Sequence, residues 1–465
     1  MKRPSDMADD RHSSIAGHHD EPLPAHPSRR RGQGEPDVRT TVFASPATSR
    51  RGPLALVLAL MLVASLAHAG NRARPGGTLQ VALVSPAATV EPLTADAPVD
   101  TLRLLLTHQL LCRLVEPSRP TPTTLRLTTP PSLDPKLVTE ALQRVAASRT
   151  PARALLSPVT SWSVNGRAVE LQLKSSAPDL ERSLCHPAFA IPLGAFRTKG
   201  TRLEAFDEQP SGRPHLDGVV LQATDERTAE RLFAQRRVQL VLGGSTSDDV
   251  PQLFVTAVVV GPGLSALKPA IESTTDRADL ARFFVSAPAG PLTGLLPPSL
   301  APPPPSAAVA RPAPLTPPRE LSLLFDDEAA HERNIAQRLQ VKLQPLGYRI
   351  ALKATPRAQL RGRAPAENEV LLQSFVLPPS PTGALLMWLE LGGQKARIPA
   401  VLQQLASAPD VDARARELAT QLAAELPVIP LVTRGLGVTA ARDVQHLTRD
   451  ALGLPRLDDV FLATE

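Results

Sequence analysis

Aromatic side chains are scarce in this sequence, which has 11 Phe, 2 Trp and 1 Tyr among 465 residues. Lysine is also rare. The basic residues are mostly arginine and alternate with acidic residues, although the net charge is +6. Proteins that bind single-stranded nucleic acid combine a basic groove with aromatic side chains on which the bases stack. The sequence shows neither pattern, so we do not expect nucleic acid as a partner.

Long apolar runs are limited to one, at 53–67. It is shorter than the roughly 20 residues that a membrane-spanning helix needs, and the lack of a second run excludes a multi-span membrane protein. Arg50 and Arg51 precede the run, and Ala67-His68-Ala69 follows it. This order is typical of a secretory signal peptide. We therefore predict a signal peptide over 53–69, cleaved after Ala69, with an uncleaved anchor as the alternative.

The 52 residues before this run are rich in Pro, Arg, Ser and His and have no apolar periodicity. Such a composition cannot bury enough apolar surface to offset chain entropy, so residues 1–52 are predicted to be a disordered extension. The mature chain is expected to be periplasmic or secreted.

Cysteine occurs only twice, at Cys112 and Cys185. Two cysteines allow one bridge, and an export compartment lets such a bridge persist. Both residues lie in or near apolar helical patterns, where a cysteine also fits as a small buried hydrophobic residue. A disulfide between the two and a pair of buried thiols are both open at this point.

A hydrophobic content of 42% predicts a real core, whereas 50 prolines predict frequent interruptions of helices and strands. Alternating apolar residues predict strands at Thr78–Val84, Asp217–Gln222, Val238–Leu242, Phe254–Val260, Leu321–Phe325, Tyr348–Lys353 and Val370–Val376. Helical periodicity predicts helices at 100–115, Pro135–Ala147, Ala177–Cys185, Thr224–Gln235, Glu328–Leu346, Arg397–Ala406 and Val411–Leu426. Asn165-Gly166 predicts a hairpin between 162–164 and 168–173.

Two strand–helix–strand units stand out, one over 217–242 and one over 321–353. Such units favour mixed or parallel sheets. Between them, the Pro/Ala-rich segment 297–318 is predicted to be a polyproline-like connector that packs no core. Two α/β lobes follow as the expected architecture.

The sequence contains no nucleophile elbow, no zinc-protease helix motif and no phosphate-binding glycine loop. We therefore expect no enzyme and no cofactor. Asp326-Asp327-Glu328 is predicted to cap the helix over 328–346, with a divalent-cation site as the alternative. Trp388 and Phe375 fit either a ligand cleft or the core.

The order of these elements resembles the family-5 extracellular solute-binding proteins, the periplasmic peptide- and nickel-type receptors of ABC transporters. The resemblance covers roughly residues 76–462. It rests on the opening strand at 76–82, the helix at 107–116, the unit at 219–242, the segment containing Leu346-Gly347-Tyr348, and the return at 426–431 with 444–447.

This resemblance implies an α/β fold of the two-lobed periplasmic-binding-protein type II kind, with mixed sheets and a hinge between the lobes. Residues 70–252 would form lobe 1, residues 253–430 lobe 2 with the Pro-rich segment, and residues 431–465 the return to lobe 1. The implied function is capture of a peptide-like or other small solute, as a monomer, for the permease of an ABC importer. A descendant that has lost its ligand and acts as a periplasmic interaction or sensory module is the alternative.

One departure from the family pattern concerns peptide recognition. Peptide-binding members carry an acidic residue, in a stretch similar to W-x-A-D-Y-x-x-P, that meets the ligand's amino group. Here Leu377 stands at about that position. Because a buried ammonium without a partner costs several kcal/mol, we expect this mode of recognition to be absent.

Ligands of open α/β sheets bind near strand ends, which directs attention to the residues just after or within the last turns of the predicted strands. The candidate ligand-binding residues are Ser85, Ser374, Phe375, Leu377, Thr433 and Arg434. For Arg434, contact with an anionic ligand and a surface salt bridge are the two interpretations.

Overall fold

The computed structural model describes residues 76–85, 90–244, 253–285, 288–303 and 310–463. The predicted N-terminal extension and signal peptide lie outside the described residues. Within these ranges, no helix is long and apolar enough to cross a membrane.

Strands in this part of the chain are short and belong to four sheets. Their bounds are β1 Thr78–Val84, β2 Glu116–Thr121, β3 Thr124–Thr128, β4 Val159–Asn165, β5 Ala168–Leu173, β6 Phe196–Lys199, β7 Arg202–Ala205, β8 Gly218–Thr224, β9 Leu240–Gly244, β10 Phe254–Val260, β11 Ala289–Pro291, β12 Arg319–Asp326, β13 Tyr348–Thr355, β14 Glu369–Val376, β15 Val428–Arg434, β16 Gly437–Ala440, β17 Val444–Gln445 and β18 Phe461–Leu462.

Helices connect most of these strands. Their bounds are α1 Pro98–Thr107, α2 Leu111–Leu114, α3 Pro135–Ala147, α4 Leu180–Ser183, α5 Glu226–Ala234, α6 Leu267–Thr274, α7 Arg277–Phe284, α8 Ala330–Leu343, α9 Arg357–Leu360, α10 Pro381–Leu391, α11 Ile398–Ala406 and α12 Val411–Glu425. Short 3-10 turns lie at Pro151–Leu156, Pro187–Phe189, Gln344–Leu346 and Lys395–Arg397.

The first sheet has the order β16-β9-β1-β8-β7-β6. Strand β1 is parallel to both β8 and β9, so the predicted strand–helix–strand unit over 217–242 is present with β1 inserted between its two strands. Strand β16, close to the C-terminus, pairs antiparallel with β9. The chain therefore returns to the first sheet after completing the second.

The second sheet has the order β11-β15-β10-β14-β12-β13. Strand β12 is parallel to β13 and β14, whereas β10 is antiparallel to β14 and β15. The carboxyl ends of β12, β13, β14 and β15 therefore lie along the same edge. Both large sheets are mixed, as the sequence predicts.

A third sheet, β2-β3-β5-β4, is antiparallel throughout and consists of two hairpins joined through β3 and β5. Its second hairpin turns at Gly166 and Arg167, because Asn165 pairs with Ala168. Gly166 has φ 59° and Arg167 has no positive φ, so the turn has positive φ only at its first central residue, as in a type II′ turn. One apolar cluster joins this sheet, helices α10, α11 and α12, and one face of the second sheet. A second cluster covers the other face of the second sheet with α6, α7 and α8.

Cys112 and Cys185 form a disulfide, with Cα atoms 5.0 Å apart. The bridge connects α2 to the residues just after α4. Of the two alternatives that the sequence left open, the structure has the disulfide.

Several predicted elements differ in detail. The helix predicted at 100–115 is divided into α1 and α2, because Gln109 pairs with Ile191 as an isolated bridge. Helix α5 is capped by Asp225, whose carboxylate accepts the N–H of Thr228, and not by Thr224. Helix α10 was not predicted: its residues are apolar and buried on nearly all sides, so no amphipathic period marks it.

The Pro-rich segment 297–318 contributes more to the core than its composition predicts. Ala301 is buried in the large apolar cluster, and Leu300 and Leu315 pack against clusters at either end of the segment. The expectation that this segment packs no core is therefore wrong for its ends. Residues 304–309 lie outside the described residues.

Candidate functional site

A cavity lies at the carboxyl edge of the second sheet. Its wall includes the last residue of β12, the end of β14 from Leu372 to Val376, the last residue of β15, and helix α9, which follows β13. Strand ends are natural binding positions because the sheet stops there and leaves a crevice. Three strands of one sheet, together with the helix that follows a fourth, therefore supply one side of the cavity.

The opposite side comes from elements outside the second sheet. It includes residues 92–97, just before α1, and Thr150–Ala152 at the start of a 3-10 turn. About 80 Å³ of the cavity is accessible to the centre of a water molecule. Since one water needs about 10–15 Å³ on this measure, the cavity has room for several waters or a small solute.

Arg357, the first residue of α9, and Arg361, the residue just after its end, line the cavity and bind carboxylates of the segment around the start of α1. Arg361 donates from Nη2 to Oδ2 of Asp96 at 2.8 Å and to the carbonyl of Thr94 at 2.7 Å. Arg357 donates from Nη1 to Oδ2 of Asp100 at 3.0 Å. These ion pairs join the second sheet directly to the segment that leads into α1.

Arg357 also binds Asp326, the last residue of β12, through its Nε. Three carboxylates around Arg357 raise its pKa against the opposing effect of burial. Burial raises the pKa of Asp96, although Arg361 and Arg357 both lower it. Both guanidinium groups are thus paired with the chain's own acids.

Glu332, on the first turn of α8, is buried and accepts the backbone N–H of Asp326 at 2.9 Å. Burial raises the pKa of its carboxyl to about 7, and the nearby Asp326 adds to the effect. The carboxyl is therefore divided between its neutral and charged forms near neutral pH.

A chain of hydrogen bonds runs through the wall beside Glu332. Nε2 of His331 lies 3.0 Å from Oγ of Ser374, which in turn lies 2.9 Å from Oγ1 of Thr256. Burial and the nearby Arg434 and Arg357 lower the pKa of His331 well below its usual value. His331 is neutral at pH 7 and adds no charge to the cavity.

His186 holds the end of β14 against the residues after α4. Its Nδ1 accepts the N–H of Ala188 at 3.1 Å, so its Nε2 carries the proton and donates to the carbonyl of Val376 at 3.0 Å. Burial lowers the pKa of His186 to about 4. This histidine is neutral and positions the cavity wall.

Arg434 ends β15 and is only 6% exposed. Among the described residues, no carboxylate lies within 4 Å of its guanidinium, and its buried Nε and Nη2 have no hydrogen-bond partner. The surface salt bridge weighed from the sequence is therefore wrong. What remains is a buried cation that lines the cavity.

Three of the six sequence-predicted site residues line this cavity: Ser374, Phe375 and Arg434. The other three lie elsewhere. Leu377 is fully buried and its N–H donates to the carbonyl of Leu253, Thr433 is buried beside Gly290, and Ser85 follows β1 outside the lining. Their role as ligand contacts stays a prediction.

Trp388 belongs to the core, because it is fully buried and its Nε1 donates to the carbonyl of Leu295. Phe375 has both of the roles that the sequence left open. Its ring packs edge-to-face on that of Trp388 in the core, with 5.0 Å between the ring centroids, and it also lines the cavity.

The acidic run 326–328 does not cap α8. The cap position is Ala329, with no side-chain hydrogen bond, and Asp326 binds Arg357 instead. In the described part of the chain, no group of three or more metal-ligating side chains occurs. The carboxylate of Asp326 is therefore used in an ion pair with a residue 31 positions later.

Sequence reasoning missed the charged residues Asp96, His331, Glu332, Arg357 and Arg361. A signal for some of them was present: Arg357 and Arg361 are four residues apart immediately after a strand, and so are Asp96 and Asp100 before and within a helix. Such spacing places two like charges on one face of a helix, which is unfavourable unless an opposite pair meets them.

No model of a protein family and no curated protein matches this sequence. Solved structures do match. The nickel-binding protein NikA of Staphylococcus aureus, in complex with Ni(L-His)2, aligns with a TM-score of 0.63 and 16% identity over 83% of this chain and 99% of its own.

Two further structures align equally widely. DppA of Helicobacter pylori, in complex with the peptide STSA, has a TM-score of 0.66 and 12% identity over 84% of this chain and 99% of its own. The binding protein AgaA of A. tumefaciens R10, in complex with agropinic acid, has a TM-score of 0.64 and 15% identity over 84% and 99%.

Of these three proteins, DppA is an ABC transporter-associated periplasmic binding protein. The chain has their fold, an α/β arrangement of two lobes with mixed sheets. More particularly, this is the fold of the family-5 solute-binding proteins, and the resemblance seen in the sequence is confirmed at the level of fold.

Proposed function

We propose that this protein is the solute-binding component of an ABC importer and that it captures a small solute in the cavity at the carboxyl edge of the second sheet. The observation that carries the proposal is the position of this cavity, which is walled by three strand ends and helix α9 on one side and by residues 92–97 and 150–152 on the other. A solute in such a place contacts both sides at once and stabilises their closed arrangement.

The structures with the same fold support this function. Those named above hold a nickel–histidine complex, a peptide and agropinic acid. The lobe division expected from the sequence, at 252 and 430, belongs to the same proposal, with β15 extending the second lobe to Arg434. Export through the signal peptide at 53–69, a permease partner and a monomeric state complete it.

A small solute suits the cavity better than a peptide. The space accessible to water is about 80 Å³. Leu377, at the position where peptide receptors have an acidic residue, is fully buried and outside the lining. A ligand ammonium would meet no dedicated partner there.

A second function, that of a ligand-free interaction or sensory module, is favoured by one observation. Arg357 and Arg361 bind Asp100 and Asp96 directly across the cavity, so the chain's own charges hold the two sides together. A protein that closes without a solute would no longer report its presence.

A thermal-shift screen decides between the two functions. The purified protein is heated with peptides, sugars, polyamines, amino acids, organic acids and nickel. A solute present at 100 times its dissociation constant stabilises the folded state by about 2.7 kcal/mol, which raises the melting temperature visibly. Stabilisation by one class of solute is the expected result.

Ala329→Met locates the effect, because Ala329 lines the cavity and the longer side chain fills part of it. Ala351→Met, on an exposed position of β13, is the matched control. The shift should disappear in the first variant and persist in the second. A cooperative melt that no solute in the whole panel raises would contradict solute capture and favour the interaction module.

A further inference from the structure

Arg434 differs from the other arginines at the cavity in having no partner for its buried donors. Its Nε and Nη2 are sealed from solvent and make no hydrogen bond within the described residues. A guanidinium stays protonated in proteins, and a buried charge without a partner is costly. Such a group persists where something outside the chain pairs with it.

The identity of the two free atoms points to a particular partner. Nε and Nη2 lie on the same side of a guanidinium and form the fork that receives both oxygens of one carboxylate. The protein uses this fork elsewhere. Arg119 donates from Nε and Nη2 to the two oxygens of Glu181 at 2.5 and 2.7 Å, and Arg456 donates likewise to Asp458 at 3.1 and 2.6 Å.

The acids around the cavity do not serve Arg434. Asp96, Asp100 and Asp326 are bound to Arg357 and Arg361. Glu332 is held by the backbone N–H of Asp326, and its distance from Arg434 exceeds that of an ion pair. The Nε/Nη2 fork of Arg434 therefore has no ion-pair partner among these acids, although Glu332, Asp96 and Asp100 stabilise its charge at longer range.

The same acids limit the charge of the ligand. A monoanion places its charge in the fork of Arg434. A second negative charge would add to those of Asp96, Asp100 and Asp326, which already outnumber the positive charges of Arg357 and Arg361. This argument favours a monoanion over phosphate, sulfate or a dicarboxylate.

We propose that the solute is a small monocarboxylate whose carboxylate sits in the Nε/Nη2 fork of Arg434, with the hydroxyl of Ser374 in the adjoining wall. This inference rests on the proposed function and names the chemical class of its solute. Because the fork is closed to solvent in this structure, the solute reaches it only when the two sides of the cavity part.

The test compares each acid with its own amide. Binding to the purified protein is measured by calorimetry, at fixed ionic strength, for monocarboxylates from acetate to the common L-amino acids and for the corresponding primary amides. Malonate, succinate and sulfate represent dianions. We expect at least one monocarboxylate to bind and its amide to bind at least tenfold more weakly.

Two variants test whether the carboxylate of the solute binds at Arg434. Arg434→Met removes the charge at similar length, and Arg434→Lys keeps a charge but lacks the fork. Each loses charge-assisted hydrogen bonds, and affinity should fall about 10- to 100-fold. Arg349→Met, on an exposed side chain of β13, should bind as the unaltered protein does. If Arg434→Met fails to fold, Arg434→Lys still tests the fork.

The outcomes separate this inference from the function on which it rests. Tight binding of amides, sugars or peptides that does not change when Arg434 is substituted would overturn the proposal that the solute is a carboxylate. The proposed function of solute capture would still hold. Tighter binding of malonate, succinate or sulfate than of every monocarboxylate would overturn the proposal that the solute is a monoanion. The absence of binding by every class of solute would overturn both.

Discussion

Three arginines line the same cavity, and they differ in whether the chain supplies their ion-pair partners. Arg357 and Arg361 meet Asp326, Asp96 and Asp100 in direct ion pairs. Arg434 is more deeply buried than either, yet its Nε and Nη2 have no partner within the described residues.

This difference distinguishes a buried charge that stabilises the fold from a buried charge that is available to bind a ligand. A buried ion pair whose two members come from the same chain contributes to which surfaces meet, and removing one member leaves the other charge uncompensated. A buried cation without a partner lowers the stability of the empty protein. It is retained where an outside anion completes the pair.

The first prediction breaks the paired set. Arg357→Met should lower the free energy of unfolding by about 3–5 kcal/mol, because Asp100 and the buried Asp326 lose their partner while Asp96 keeps only Arg361. Urea denaturation at pH 7 measures the change. Arg349→Met removes only an exposed pair with Glu320 and should cost less than about 1 kcal/mol. Equal effects of the two variants would show that the cavity pairs contribute no more than surface pairs.

The second prediction concerns Glu332, the acid whose charge acts most strongly on the guanidinium of Arg434. Burial raises the pKa of its carboxyl from 4.5 to about 7 in the folded protein, with Asp326 adding to the rise and Arg434, the backbone of Asp326 and Ser374 opposing it. A raised pKa means that the folded state prefers the neutral acid. The stabilising contribution is therefore complete below pH 4.5 and is lost as the pH rises through 7.

Glu332→Gln keeps a neutral side chain of the same shape at every pH. Its advantage in unfolding free energy over the unaltered protein should grow between pH 4.5 and 7, to about 3 kcal/mol at most. The nearby histidines, His186 and His331, titrate in both proteins, so their effects cancel in the difference. Urea denaturation over this pH range provides the measurement. Glu320→Gln, at an exposed position, is the control, and a difference that is flat with pH for Glu332→Gln would contradict the assignment.

The third prediction is the smallest change in the free energy of unfolding, and its sign is opposite to that of the first. Arg434→Met should raise the free energy of unfolding of the empty protein by about 1 kcal/mol, because an uncompensated buried charge is replaced by an apolar side chain. The same urea series at pH 7 measures it. A loss of stability comparable to that of Arg357→Met would mean that Arg434 is structurally paired, and the contrast between the two sets would not hold.

Local structure was largely predictable. The bounds of α3 were predicted exactly, because Asp134 and Pro135 form a standard helix start and the carboxylate of Asp134 accepts the N–H of Lys136. Gly347, with φ 83°, ends the α8 segment where the sequence indicates a helix stop. These features depend on a few neighbouring residues and need no knowledge of the rest of the fold.

The candidate site was predictable only in part. Strand-end reasoning reached Ser374, Phe375 and Arg434, since the end of a strand can be read from the apolar pattern. It also selected Leu377, which points into the core, because the pattern does not say which side of the last residue is open.

By itself, the sequence determined most of the helices and strands and their approximate order in two lobes, whereas it left open whether Cys112 and Cys185 form a disulfide. Only the tertiary structure decided which charges meet. Arg357 and Asp100 are 257 positions apart, and Arg361 and Asp96 are 265 apart. Contacts at that separation follow from how the sheets close on each other, and no local pattern encodes them. The same closure leaves Arg434 buried without a partner, and from this our proposal for the solute follows.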